Sequence, residues 1–134
     1  SIRAQMLSIG SYILKKKPVL RDDVQEVMVL RLQDPEAEIR HQTVKEICEI
    51  AVASISTISE TTLRKVGDRL KDRKANIRKD TVTGLANAFA ANISKKWADS
   101  FDDTQEIMED EEMDRKLGWI PAKVAMCYAY MNMD

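Results

Sequence analysis

Arg31-Leu32-Gln33-Asp34-Pro35-Glu36-Ala37-Glu38-Ile39-Arg40 and Arg69-Leu70-Lys71-Asp72-Arg73-Lys74-Ala75-Asn76-Ile77-Arg78 are two copies of one pattern, 38 residues apart. Arg31, Leu32, Asp34, Ala37, Ile39 and Arg40 recur in the second copy. Thr43 with Thr81 and Val44 with Val82 extend the register to eight identities in fourteen aligned positions. Ile2-Arg3-Ala4-Gln5 resembles Ile39-Arg40-His41-Gln42 and reads as the truncated remnant of an earlier copy. A period of this length is the mark of an array of supersecondary units, none of which can bury its apolar face alone.

Around the repeated turn, apolar residues recur every three or four positions. Val44, Ile47, Cys48, Ala51, Val52 and Ile55 form one stripe, and Val82, Leu85, Ala86, Phe89, Ala90 and Ile93 form its copy. Such spacing lines one face of a helix. Val24, Met28, Val29 and Leu32, then Leu63, Val66 and Leu70, supply the preceding helix of each pair. Asp34 is placed to cap exposed backbone amides, and Pro35 suits a first helical position because it has no amide hydrogen to leave unpaired. Asp22 and Ser59 are placed to start the first helices, whereas Ser1-Ile2-Arg3 enters its helix without a cap. Helices are expected at 2–16, 22–33, 35–55, 60–71, 74–94 and 121–131. A Leu-x-Asp ending one helix, followed by an apolar residue and Arg early in the next, resembles the HEAT repeat. That resemblance implies an all-α solenoid of about three helical pairs, a fragment of a longer superhelix: partial repeat 1–17, repeats 20–55 and 58–94, an acidic insertion at 95–117 and the start of another repeat at 118–134. Asp34, Arg40, Asp72 and Arg78 then form a structural ladder within the stack.

Composition agrees with helices. Four Gly and three Pro in 134 residues are too few for the turns of a sandwich or barrel. Aromatics at 5% offer few platforms for stacking bases. No apolar run reaches the roughly 18 residues of a membrane span, so the protein is expected to be soluble, and the start, Ser1-Ile2-Arg3, lacks a Met and the apolar segment of a signal peptide and reads as the start of a fragment. Cys48 and Cys127 form no disulfide framework or zinc spacing and are expected to be reduced and buried.

Charge balances overall, with 21 Lys plus Arg against 22 Asp plus Glu, but not locally. Arg64, Lys65, Arg69, Lys71, Arg73, Lys74, Arg78 and Lys79 face only Asp68 and Asp72 within one short stretch. Lys71, Arg73, Lys74 and Lys79 should project along one edge, as a solvated rim or as a contact for DNA, an inositol phosphate or an acidic peptide. From Asp99 to Asp114 stand nine acids and no base, which predicts a solvated acidic loop with at most a helical turn near Ile107 and Met108. Met126, Met131 and Met133 mark a C-terminal edge suited to meet another repeat.

Catalytic chemistry has no foothold in the sequence. The single His41 has no nucleophile partner in view and is expected at the surface. There is no phosphate-cradling Gly-rich loop and no metal-ligand spacing, so no cofactor is expected.

Beyond the repeat, Val66-Gly67-Asp68-Arg69-Leu70-Lys71-Asp72-Arg73-Lys74, continuing through Ile77-Arg78-Lys79 and Thr83-Gly84-Leu85-Ala86, resembles the signature stretch of the cohesin regulator Pds5 family. Leu32-Gln33-Asp34-Pro35-Glu36 with Ile39-Arg40 and Val44-Lys45 resembles its preceding repeat. Trp119-Ile120-Pro121-Ala122-Lys123 with Cys127-Tyr128 is similar to the helix that follows a variable insertion. Ala75 stands where many relatives carry tryptophan. The resemblance implies a non-enzymatic scaffold in the nucleus, on chromosomes, which binds cohesin through its kleisin subunit and release or acetylation factors and so regulates sister-chromatid cohesion. A generic HEAT adaptor, or a module touching nucleic acid or inositol phosphates through residues 64–79, is the alternative.

Overall fold

The computed structural model describes residues 1–99 and 106–131, which form seven α-helices and three short 3₁₀ turns with no strand among them. They are α1 (Ile2–Lys16), α2 (Arg21–Arg31), α3 (Ala37–Ala53), α4 (Glu60–Gly67), α5 (Ala75–Asp99), α6 (Glu106–Leu117) and α7 (Ile120–Met131). The helices lie in two layers. In one layer α1 packs on α3, α3 on α5 and α5 on α7, and in the other α2 packs on α4 and α4 on α6. Each helix thus meets its counterpart in the next pair, which is the stacking of an α-solenoid.

The core is aliphatic and runs between the layers. Leu14, Met28, Leu32, Val44, Ile47, Leu63, Val66, Ile77 and Leu85 are all buried. Helices α3 and α5 pack closely. A Cβ built on Gly84 would lie 2.7 Å from Cys48 Sγ, so this glycine is there for proximity. Val44 is fully buried, but Val82 is only half-buried, and Ala86 and Ala90 are exposed, so the second stripe is less enclosed than the first.

Several helix ends differ from expectation. Ser1 does cap α1, its hydroxyl accepting from the Ala4 amide at 3.3 Å. Helix α3 starts at Ala37, two residues after Pro35, because the Asp34 carboxylate accepts from the Glu36 amide at 2.9 Å and folds Asp34-Pro35-Glu36 into a turn of its own. At Ser59 the hydroxyl accepts from the Thr62 amide at 3.1 Å, while α2 starts one residue before Asp22.

The acidic stretch is the larger correction. Helix α5 continues to Asp99 and α6 begins at Glu106, so most of the segment expected as a solvated loop is helical. Arg115 and Lys116, in the last turn of α6, suit the negative end of its dipole. On its inner side Met113 packs against the core and Leu117 is buried. Residues 100–105 and the side chains of 97–110, Ile107 and Met108 among them, lie outside the described residues, as do those of Met131 and Met133. Met126 is exposed.

Candidate functional site at the repeat turns

The two copies of the repeated pattern build the same turn twice, at one edge of the stack. In the first, Asp34 is buried and its carboxylate accepts from Arg31 Nη1 at 2.9 Å and from the Glu36 amide. In the second, Asp72 accepts from Arg69 Nη1 at 3.0 Å and from the Lys74 amide at 3.0 Å. A carboxylate hidden from water must be paired to stay charged, and arginines from the preceding pair complete the work. Arg3 Nε lies 3.3 Å from Asp34 Oδ2. Arg40 grips Asp72 side-on, Nε to Oδ2 at 2.9 Å and Nη2 to Oδ1 at 3.1 Å. The remaining Arg40 nitrogen, Nη1, donates back to the carbonyls of Asp34 at 2.8 Å and Pro35 at 3.2 Å. Arg40 therefore clamps its own turn and reaches into the next, while Arg3 reaches into the next turn alone, its Nη2 pairing with Glu36.

Burial alone would raise the Asp72 pKa, but the Arg40 fork, the Lys74 amide and the charge of Arg69 outweigh it and hold the carboxyl at about 2. Hydrogen bonding to Asp72 in turn raises Arg40, against the opposing effect of its burial.

The next step of the ladder is different. Arg78 Nη1 donates to the carbonyls of Asp72 at 2.7 Å and Arg73 at 3.1 Å, reproducing the clamp of Arg40 on its own turn. No carboxylate meets the rest of its guanidinium among the described residues. The side chains of Lys71, Arg73, Lys74 and Lys79 are exposed and form no ion pair among the described residues.

Other contacts between the pairs, several of them at the opposite ends of these helices, escaped the sequence reading. Buried Gln25 donates to the Thr57 carbonyl at 3.1 Å and accepts from the Ser59 amide at 2.9 Å, pinning α2 to the connection that precedes α4. Asn92 donates to the Ala51 carbonyl at 3.0 Å, and Lys95 to those of Val52 at 3.0 Å and Ala53 at 3.2 Å, satisfying the C-terminal end of α3. His41, expected at the surface, is partly buried against Asp80 of the next pair. Cys48 is buried, which pushes its thiol up to about 12, whereas Cys127 is only half-buried.

Trp119 joins the Gly67 stretch to the start of α7. A Cβ on Gly67 would lie 2.9 Å from the Trp119 ring, so the glycine makes room for it. Arg64 stacks over the same ring, 5.4 Å from its centroid, and the indole nitrogen donates to the Lys116 carbonyl at 2.7 Å. Lys116 itself, largely buried, donates to the Ile55 carbonyl at 3.3 Å and pairs with Glu112 at 3.1 Å.

Stacked helical pairs joined by an Asp and Arg ladder define an all-α HEAT-like solenoid segment. The family model for the sister chromatid cohesion protein PDS5 matches residues 1–134. Sister chromatid cohesion protein PDS5 homolog B of Homo sapiens is 26% identical over 133 residues, covering 99% of this chain and 8% of that protein. Homolog B-B of Xenopus laevis gives the same figures, 26%, 99% and 8%, and homolog A of Danio rerio gives 26%, 99% and 9%. The chain belongs to the PDS5 family and spans less than a tenth of the length of these curated relatives.

Proposed function

We propose that this chain is a solenoid segment of a non-enzymatic scaffold that regulates sister-chromatid cohesion on chromosomes in the nucleus. The observation that carries the reading is the family match over every residue of the chain. The use made of polar side chains supports a scaffold. Asp34, Arg40, Asp72, Gln25 and Asn92 all hold helices to one another. In this reading the protein docks on cohesin, through its kleisin subunit, together with factors that release or acetylate the complex. The large apolar side chains exposed along α1 and α2, among them Met6, Ile9, Val27 and Leu30, then pack against further pairs of the longer protein. A generic adaptor with the same fold is disfavoured, because shared repeats alone would not give a match to one family model over residues 1–134.

The test is co-precipitation from nuclear extract with the full-length protein that contains this chain. Recovery of cohesin subunits, the kleisin among them, is the expected result. A folded full-length protein that leaves cohesin in the supernatant would overturn the reading.

A further inference from the structure

The ladder stops one rung short. Asp34 and Asp72 each stand three residues before the helix that follows, α3 at Ala37 and α5 at Ala75. Helix α7 begins at Ile120, and the residue three before it is Leu117, only 1% exposed and with no side-chain oxygen. Arg3 and Arg40 each find a carboxylate in the next turn, while Arg78 does not. Among the described residues, Nε and Nη2 of Arg78 meet no acceptor. These are the two nitrogens with which Arg40 holds Asp72.

The local charges favour an anion there. Asp72 is already shared by Arg40, Arg69 and the Lys74 amide, and Asp80 faces His41 and Lys45. Asp114, in the register position of Arg31 and Arg69, forms no ion pair among the described residues. Arg73 and Lys74 flank Arg78 in the same turn and are exposed. Lys123, in the register position of Arg40 and Arg78, is exposed as well. A guanidinium whose Nη1 is fixed on two carbonyls cannot swing away, so its remaining donors are pre-oriented, which lowers the entropic cost of binding.

We propose that the Arg78 fork, rimmed by Arg73 and Lys74, is a docking site for a Glu or Asp side chain on an acidic segment of a protein partner, which supplies the carboxylate missing from the third rung. A carboxylate is favoured over a phosphate because the equivalent forks in this chain already hold one, side-on and with both oxygens engaged in the case of Arg40.

Fluorescence anisotropy with a labelled ten-residue peptide of alternating Glu and Gly tests this. The 134-residue chain should bind it saturably, and at least about tenfold more tightly than the same peptide with Gln for Glu. Arg78→Lys keeps the charge but loses the side-on fork, and should weaken binding about tenfold. The double variant Arg73→Glu/Lys74→Glu alters only exposed side chains. It should keep its helical circular dichroism and melting temperature and lose the peptide. Equal binding of the Glu and Gln peptides would overturn the proposal, as would Arg78→Lys binding like the parent. So would saturable binding of inositol hexakisphosphate or duplex DNA by a chain that ignores the Glu peptide. Should Arg78→Lys fail to fold, the double variant and the Gln peptide decide alone: retention of binding by the double variant refutes the site, and its loss supports it.

Discussion

Replacing Arg40 by alanine should be among the most damaging single changes at the surface of this protein. The side chain donates four hydrogen bonds, two to the Asp72 carboxylate and two to the carbonyls of Asp34 and Pro35. Its removal leaves the Asp72 side chain, fully shielded from solvent, with Arg69 and one amide as partners. Breaking a buried pair costs about 3–5 kcal/mol. The surviving Arg69 contact offsets part of this, and the two orphaned carbonyls add about 1 kcal/mol each. A net loss of about 3 kcal/mol is a large share of the roughly 5–15 kcal/mol that stabilises a domain. It should lower the melting temperature by about 10 °C. Urea denaturation followed at 222 nm measures the loss. The double variant Arg40→Ala/Asp72→Ala should be less destabilised than the sum of the single ones, with a coupling of about 1–3 kcal/mol. A loss below about 1 kcal/mol, or strict additivity, would refute the claim that the ladder fastens one pair to the next.

Further outcomes follow from single contacts. Asp72 is held at about 2 against an ordinary 3.8, so the folded state favours its charged form. Its contribution of about 2 kcal/mol is complete above roughly pH 4–5 and lost as pH falls towards 2. Asp72→Asn should therefore flatten the acid limb of a stability-against-pH curve, and an unchanged limb would contradict this. Cys48, with its thiol near 12 and buried, should resist maleimide in the native state at pH 7 while Cys127 reacts, so mass spectrometry should find one label before denaturation and two after. Gly84→Ala should cost about 1–3 kcal/mol by overpacking against Cys48, and Cys48→Ala should restore much of it. Val44→Asp should unfold the chain, whereas Val82→Asp, at a half-buried position, should be milder. Thermal melts separate the two.

The sequence disclosed the stack where its turns repeat and concealed it where they do not. Asp34-Pro35-Glu36 and Asp72-Arg73-Lys74 match because both close over a carboxylate, so a shift of 38 residues reveals two pairs. The third turn, Leu117-Gly118-Trp119, carries no acid, and α6 shows an apolar face of few residues among many charges. A run of acids is read as solvated, and tertiary contact with α4 overrides that reading. Gln25 and Asn92 were invisible for another reason: their partners are backbone groups more than 30 residues away, and backbone leaves no mark in a sequence. The basic edge was legible as charge. That Arg78 differs from Arg40 depends on Leu117, a residue that means nothing until α7 fixes the register.

The most direct test of the cohesion role is the distance between sister loci in cells arrested before anaphase. Depleting the full-length protein should raise the fraction of cells with separated sister signals. Re-expression of the native sequence should restore pairing, and re-expression with Val44→Asp, which unfolds this segment, should not. Sister loci that stay paired after depletion would contradict the account.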